Sequence, residues 1–311
     1  MMRKETIIVY ASLAFSTSIW GSAFIAGKYA VTSFEPATIA FLRFFFAAVI
    51  LYPLMWVTQR NRSKPTIKDW ALFALLGITG ITIYNICFFM ASKYATVIKS
   101  SLFIAINPVL ITLLSYFFLK EKLSKKHFIG MIVALLGVII IITNGQLIRI
   151  IQLQFQFIDL VLLLAVITWA LYSVLGKLAL KKYNAVVSTT YAIGFGTLFL
   201  VPFVLNEITV EVLTNASISS WLAIIHMSIF VTVVSFIMYY NGIKEIGAAK
   251  ASIFINVMPV SAVILATILL DEVFTLPYLI GALFVIGGVS YSTITRTKKK
   301  QNIAQMKKAL E

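Results

Sequence analysis

Runs of about twenty apolar residues recur along the whole chain, and no other feature restricts its fold as strongly. A bilayer core about 30 Å thick is crossed by about 20 residues of helix. Ten segments have that length and character: Ile7–Tyr29, Pro36–Val57, Trp70–Ala91, Val97–Phe118, His127–Thr143, Ile158–Leu180, Val186–Leu205, Trp221–Tyr240, Ala248–Leu270 and Leu276–Ile294. Together they use most of the 311 residues and leave no room for a soluble domain. The runs are continuously apolar and about twice as long as a transmembrane strand, so they predict helices and not a barrel. The first run lacks a small-residue cleavage pattern and is followed at once by further spans, so it reads as a mature helix.

Composition agrees. Apolar and aromatic residues make up 60% and charged residues 12%, against about 45–50% and 25% in an ordinary soluble domain. One cysteine, Cys87, excludes a disulfide framework, and with two histidines it argues against a protein-ligated metal. No cofactor is expected: no Gly-rich loop ending in GK[ST] is present to hold ATP, and no Cys/His or paired-carboxylate set suggests an enzyme.

The formal charge of +15 invites a nucleic-acid reading, but its distribution follows the positive-inside rule. With the N-terminus cytoplasmic, the inner side receives twenty basic residues, among them Arg60, Arg62, Lys64, Lys68, Lys120, Lys122, Lys125, Lys126, Lys181, Lys182, Lys244 and Lys250. The outer side receives Lys93, Lys99 and Arg149. Both termini are therefore expected in the cytoplasm of a cell (inner or plasma) membrane protein, and the basic tail 297–311 reads as an anchor to anionic lipid, with no nucleic-acid partner.

The two halves match. A shift of 149 residues superposes Trp20 on Trp169, Gly27 on Gly176, Lys28 on Lys177 and Pro53 on Pro202. Further on, a shift of 151 superposes Lys99 on Lys250, Pro108 on Pro259, Glu121 on Glu272 and Gly130 on Gly281. These rare residue types carry the match, because apolar helices resemble one another by chance. Five spans per unit is odd, so the second unit enters from the opposite face and the repeat is inverted, with Glu121 inside and Glu272 outside. The expected organisation is residues 1–145 and 155–296 as two five-helix repeats of an all-α membrane protein, followed by the tail. Inverted repeats give two near-equivalent arrangements, each open to one side of a midplane site, which favours a transporter.

The segments WGSAFIAGKYAV, PATIAFLRFFFAA, NPVLITLLSYFFLKEKLSKKHFIGMIVALLGV and GAAKASIFINVMPVSAVILATILLDEVFTLPYLIGALFVIGGV resemble the two halves of the EamA family in the drug/metabolite transporter superfamily. The resemblance covers about residues 10–295. Its most specific element, occurring twice, is a Pro-containing apolar helix, an acidic residue, and Gly about nine residues later. It implies a ten-helix inverted-repeat carrier, commonly an exporter of amino acids, metabolites or drugs, with its pathway between helices 1–4 and 6–9 and with helices 5 and 10 peripheral. Asp271-Glu272 departs from the usual Gly-Glu.

Charge inside a span is costly, which makes Arg43 the most informative residue. Its guanidinium suits a substrate carboxylate or phosphate; equally, it could lock a helix onto backbone carbonyls or Glu35. Trp20 and Trp169 match between the halves and lie within their spans; Ser16 precedes Trp20 by one turn, so these residues suit a cavity wall, with plain packing the alternative. Asn85, Asn107, Asn256 and Tyr239 are polar candidates for substrate binding or for interhelical bonds. Lys28 and Lys177 read as snorkelling to the interface. Lys99 and Lys250 open their helices, where a cation opposes the dipole, and are candidates for a gate pair or an anion ligand. Pro108 and Pro259 are candidate hinges: each frees the carbonyl four residues earlier, of Ile104 and Ile255, which Asn107 and Asn256 are placed to satisfy.

No carboxylate falls at a helix centre, and His226 is the one histidine inside a span and not at its first residue, the side-chain type that titrates near neutrality. The chain therefore reads as an alternating-access exporter of small organic solutes, amino acids or related metabolites first, running down a gradient without an ion-coupling carboxylate. The alternatives are a multidrug exporter and a non-transporting membrane receptor or assembly partner. Expected partners are the solute and membrane lipid; a homodimer is left open.

Overall fold

The computed structural model describes residues 4–59, 64–104, 106–121, 125–143, 145–146, 157–271 and 275–293, and every regular element among them is helical. The helices are α1 (Lys4–Ala30), α2 (Pro36–Thr58), α3 (Ile67–Tyr94), α4 (Val97–Ile104), α5 (Asn107–Leu119), α6 (Lys125–Thr143), α7 (Phe157–Ala179), α8 (Ala185–Val204), α9 (Val210–Asn215), α10 (Ile218–Ile246), α11 (Ala248–Leu269) and α12 (Leu276–Thr293). Seven of them, α1, α2, α3, α7, α8, α10 and α11, are long and apolar enough to cross a membrane. This is a multi-pass membrane protein.

Local chemistry sets the helix ends. Pro36 opens α2, where its missing N–H is no loss. Thr66 and Asp69 form a reciprocal capping box at α3, and Asn184 and Ser217 accept from Val187 N and Ser220 N to cap α8 and α10. The run expected as one span over 97–118 is described as two helices, with Ile106 in a turn off the α path just ahead of Pro108. Ile106 N bonds Phe103 O and Val109 N bonds Ile106 O, both at 3.0 Å, in tightened turns. The matching stretch of α11 is a 3-10 turn, Ile253–Asn256, before Pro259.

Neither sequence half advertises a second irregularity. Gly77–Ile83 within α3 and Met227–Val234 within α10 are π-helical, an unusual geometry that concentrates at functional sites.

Contacts fix the helix directions. Ser220 Oγ, near the start of α10, bonds Tyr29 O at the end of α1 (2.9 Å), while Gly242 near the end of α10 packs on Leu13 in the first half of α1. The two helices are therefore antiparallel. The end of the bundle holding Ser220 also holds Trp221 against Phe34; the other holds Glu121, which bonds the start of α11. These are called the Trp221 end and the Glu121 end.

Close helix contact depends on glycine at two crossings. A Cβ on Gly77 would lie 2.7 Å from Gly196 N, so α3 and α8 touch backbone to backbone. One on Gly288 would lie 2.5 Å from Gly130 O, which holds α12 on α6.

Candidate functional site

Arg43 lies on α2, 3% exposed. Its Nε donates to Thr232 Oγ1 at 2.8 Å and its Nη1 to Asn85 Oδ1 at 3.1 Å. Both partners depend on the π segments: Thr232 is inside the one in α10, and Asn85 follows the one in α3. Asn85 Nδ2 donates back to two carbonyls of that π segment, Gly80 O and Ile81 O, each at 3.0 Å. That fixes the amide so that its oxygen faces the guanidinium. Of the five guanidinium N–H groups, those on Nη2 have no partner among the described residues. Glu35 is not the partner of Arg43: it pairs with Lys93 at 2.7 Å, at the Trp221 end.

Beside Arg43 is a small cavity. Its walls include Arg43, Trp20, Tyr84, Phe88, Trp169 and Phe236, with Ile104, Ile255 and Met258 closing it. The two tryptophans meet edge to face with centroids 5.2 Å apart, and Trp20 Nε1 donates to Val231 O at 3.1 Å. Tyr84 lies 4.7 Å from Trp169. Such contacts give rigid walls, because each aromatic pair adds about 0.5–1.5 kcal/mol beyond its burial. The cavity is thus a small apolar aromatic chamber with one cation in its wall, a lining whose chemistry suits an anionic group carried on an apolar body.

The sequence candidates separate here. Arg43, Trp20 and Trp169 line the cavity, and Asn85 acts on it through Arg43. Tyr239 packs against Trp20 in a tilted contact, centroids 4.8 Å apart, from beyond the wall, with Ser173 Oγ 3.5 Å from its hydroxyl. Ser16 is fully buried and donates to Leu13 O, away from the cavity. Asn107 is buried with neither side-chain polar atom partnered among the described residues, and Asn256 Oδ1 is likewise unpartnered, so Asn107 does not satisfy the carbonyl freed by Pro108. Pro108 and Pro259 sit beside the joints whose Ile104 and Ile255 line the cavity. Lys250 lies half-buried in the first turn of α11, outside the cavity wall. The Lys99 side chain and all of Glu272 lie outside the described residues. Lys28 and Lys177 do more than snorkel: they donate to Ala95 O (2.7 Å) and to Ile243 O and Lys244 O (2.7 and 2.9 Å), closing the C-terminal ends of α3 and α10.

Tyr84, Phe88, Phe236 and Thr232 were not among the candidates. Thr232 had a signal: it matches Thr82 at a shift of 150, between the two registers of the repeat.

A model of the EamA-like transporter family matches the chain twice, over residues 7–143 and 156–294. The chain belongs to the EamA-like transporter family. Among its EamA-type relatives, the uncharacterized transporter YetK of Bacillus subtilis (strain 168) is 33% identical over 298 residues, 96% of this chain and 89% of YetK. The uncharacterized transporter YyaM of the same organism is 30% identical over 291 residues, 94% of this chain and 95% of YyaM. A solved crystal structure shares the fold with a TM-score of 0.72 and 18% identity, covering 94% of this chain and 98% of that one. The aromatic chamber therefore lies within a transporter fold that spans nearly the whole chain.

Proposed function

We propose that this EamA-family protein is an alternating-access carrier that exports small organic acids, amino acids or related metabolites, across the cell membrane. It would do so with both termini cytoplasmic and ten spans arranged as two inverted five-helix repeats. The observation that carries the reading is Arg43, desolvated in the middle of the bundle and presenting Nη2 beside an aromatic cavity. A substrate carboxylate there would make charge-assisted bonds to the guanidinium, and the rings would hold its apolar part.

The inverted repeat is supported by the family model matching once in each half and by chain direction: α1 ends at the Trp221 end, whereas α7 ends where Lys177 meets α10, at the Glu121 end. Cysteines placed at 121 and 272 are expected to label from opposite sides of the membrane; labelling from one side would refute the inversion. Carboxylates are missing from the cavity walls, in keeping with downhill export or exchange.

The decisive test is a thermal-shift screen of amino acids and other carboxylates on purified protein, followed by counterflow of the hits in proteoliposomes. The reading expects stabilisation by carboxylates that disappears in Arg43→Ala. Equal stabilisation of both proteins, or flux of none of the hits, overturns it.

A further inference from the structure

Glu121 sits at the end of α5, just beyond Lys120, whose φ of 53° is left-handed. Its own N–H turns back to Ser115 O at 3.2 Å. This sharp stop carries the carboxylate across to α11, where Oε1 accepts from Ala248 N and Oε2 from Ala249 N, both at 3.1 Å. The opening N–H groups of a helix have no partner within it and bear partial positive charge, so these are charge-assisted bonds. A static cap would come from the residue next to the helix. Here that residue is Gly247, which has no side chain to offer, and the cap arrives from 127 positions away in the other half of the chain.

Gly247 is shaped to this contact. Its φ is 88°, and a Cβ there would lie 2.9 Å from Glu121 Oε1 and 3.1 Å from Oε2. Lys177 of α7 adds a third component, holding the last carbonyls of α10 while its ammonium attracts the Glu121 carboxylate. Segments from both halves are thus tied at one point, at the Glu121 end. Both tied helices also have a joint between the tie and the cavity: the break before Asn107 in one and the 3-10 turn Ile253–Asn256 in the other. Releasing the tie frees two levers that are already jointed.

We propose that Glu121 is the latch that closes the cavity toward the Glu121 end, and that its carboxylate must leave Ala248 and Ala249 for the protein to open to that side. The proposal rests on the carrier reading, but its test needs no substrate. In a Cys87→Ala background, Ser173→Cys places a buried reporter below the cavity, and a membrane-impermeant maleimide is applied from the Glu121 side of vesicles. Glu121→Gln and Glu121→Ala should each raise the labelling rate about tenfold, the population shift expected when about 1.4 kcal/mol of latch is lost. Gly247→Ala, which pushes on the same carboxylate from the other side, should raise it as well. The exposed carboxylate variant Glu245→Gln should leave it unchanged.

Each Glu121 variant is first shown to be folded by its helical circular dichroism and monodispersity; if Glu121→Ala fails that check, Glu121→Gln and Gly247→Ala carry the test. A labelling rate within twofold of the parent in Glu121→Gln overturns the latch, even if flux persists and the carrier reading stands. Raised labelling with no flux from any protein keeps the latch and counts against the carrier reading alone.

Discussion

Arg43 Nη1 and Asn85 Oδ1 lie 3.1 Å apart, and the same Asn85 is bound through its nitrogen to Gly80 O and Ile81 O. One amide thus couples the buried cation to the backbone of a π-helical turn. Replacing it acts on both sides at once: Asn85→Leu takes one of the two partners from a buried guanidinium and removes the amide's bonds to two backbone carbonyls. A loss of about 3–5 kcal/mol of stability is expected, the range for breaking a buried charged contact. Thermal unfolding in detergent should show a fall in Tm larger than that of Thr232→Val, which removes a single bond; the reverse order would mean that Asn85 does not anchor the site.

Trp20 has two separable roles, an indole N–H on Val231 O and a ring on Trp169. Trp20→Phe removes the first and should destabilise by about 1 kcal/mol. Trp20→Ala removes both and enlarges the cavity, for about 3–5 kcal/mol. If binding of carboxylates in the thermal-shift screen survives Trp20→Ala unchanged, the tryptophan is packing and not a wall of the site.

Two glycines give opposite expectations for one substitution. Gly77→Ala puts a methyl 2.7 Å from Gly196 N, where backbone has no room to move aside, so a cost of about 1–3 kcal/mol is expected. At Gly287 nothing lies within 4 Å, and Gly287→Ala should stay within about 0.5 kcal/mol. Comparing the two melting curves checks whether α3 and α8 are held as closely as described.

In the loop between α7 and α8, the Lys182 ammonium hydrogen-bonds Asp69, and this partner raises its pKa above the ordinary lysine value. A raised value in the folded state means that the contribution is complete below the unfolded lysine pKa of about 10.4 and fades as pH climbs through the folded value. The difference in Tm between the parent and Asp69→Asn should be constant through neutral pH and shrink above about pH 10.5. A difference that stays constant through that range would assign the effect of Asp69 to its helix cap alone.

Much of the architecture could be read before any coordinates. Apolar run length placed α2 and α12 almost to the residue, because nothing but helix satisfies backbone groups in lipid. Matching the halves brought out Trp20 and Trp169, which turn out to be in contact. What could not be read depended on three-dimensional neighbours. A π turn uses the same residue types and nearly the same spacing as an α turn, so Gly77–Ile83 left no mark in the periodicity. The choice of Asn85 and Thr232 over Glu35 as partners of Arg43 follows from those turns and was hidden with them. Lys28 and Lys177 looked like interface anchors because a helix end that needs a cation is visible only when the next helix is in place.

The π turns also bear on how such a site changes over time. Each amounts to about one residue more than an α path would need, and one residue is about 100° of rotation around a helix axis. Deleting a single codon between 77 and 83 would leave every site residue in the chain yet swing Asn85 off Arg43. The setting of Arg43 can therefore shift through a change in chain length with no side chain exchanged at all.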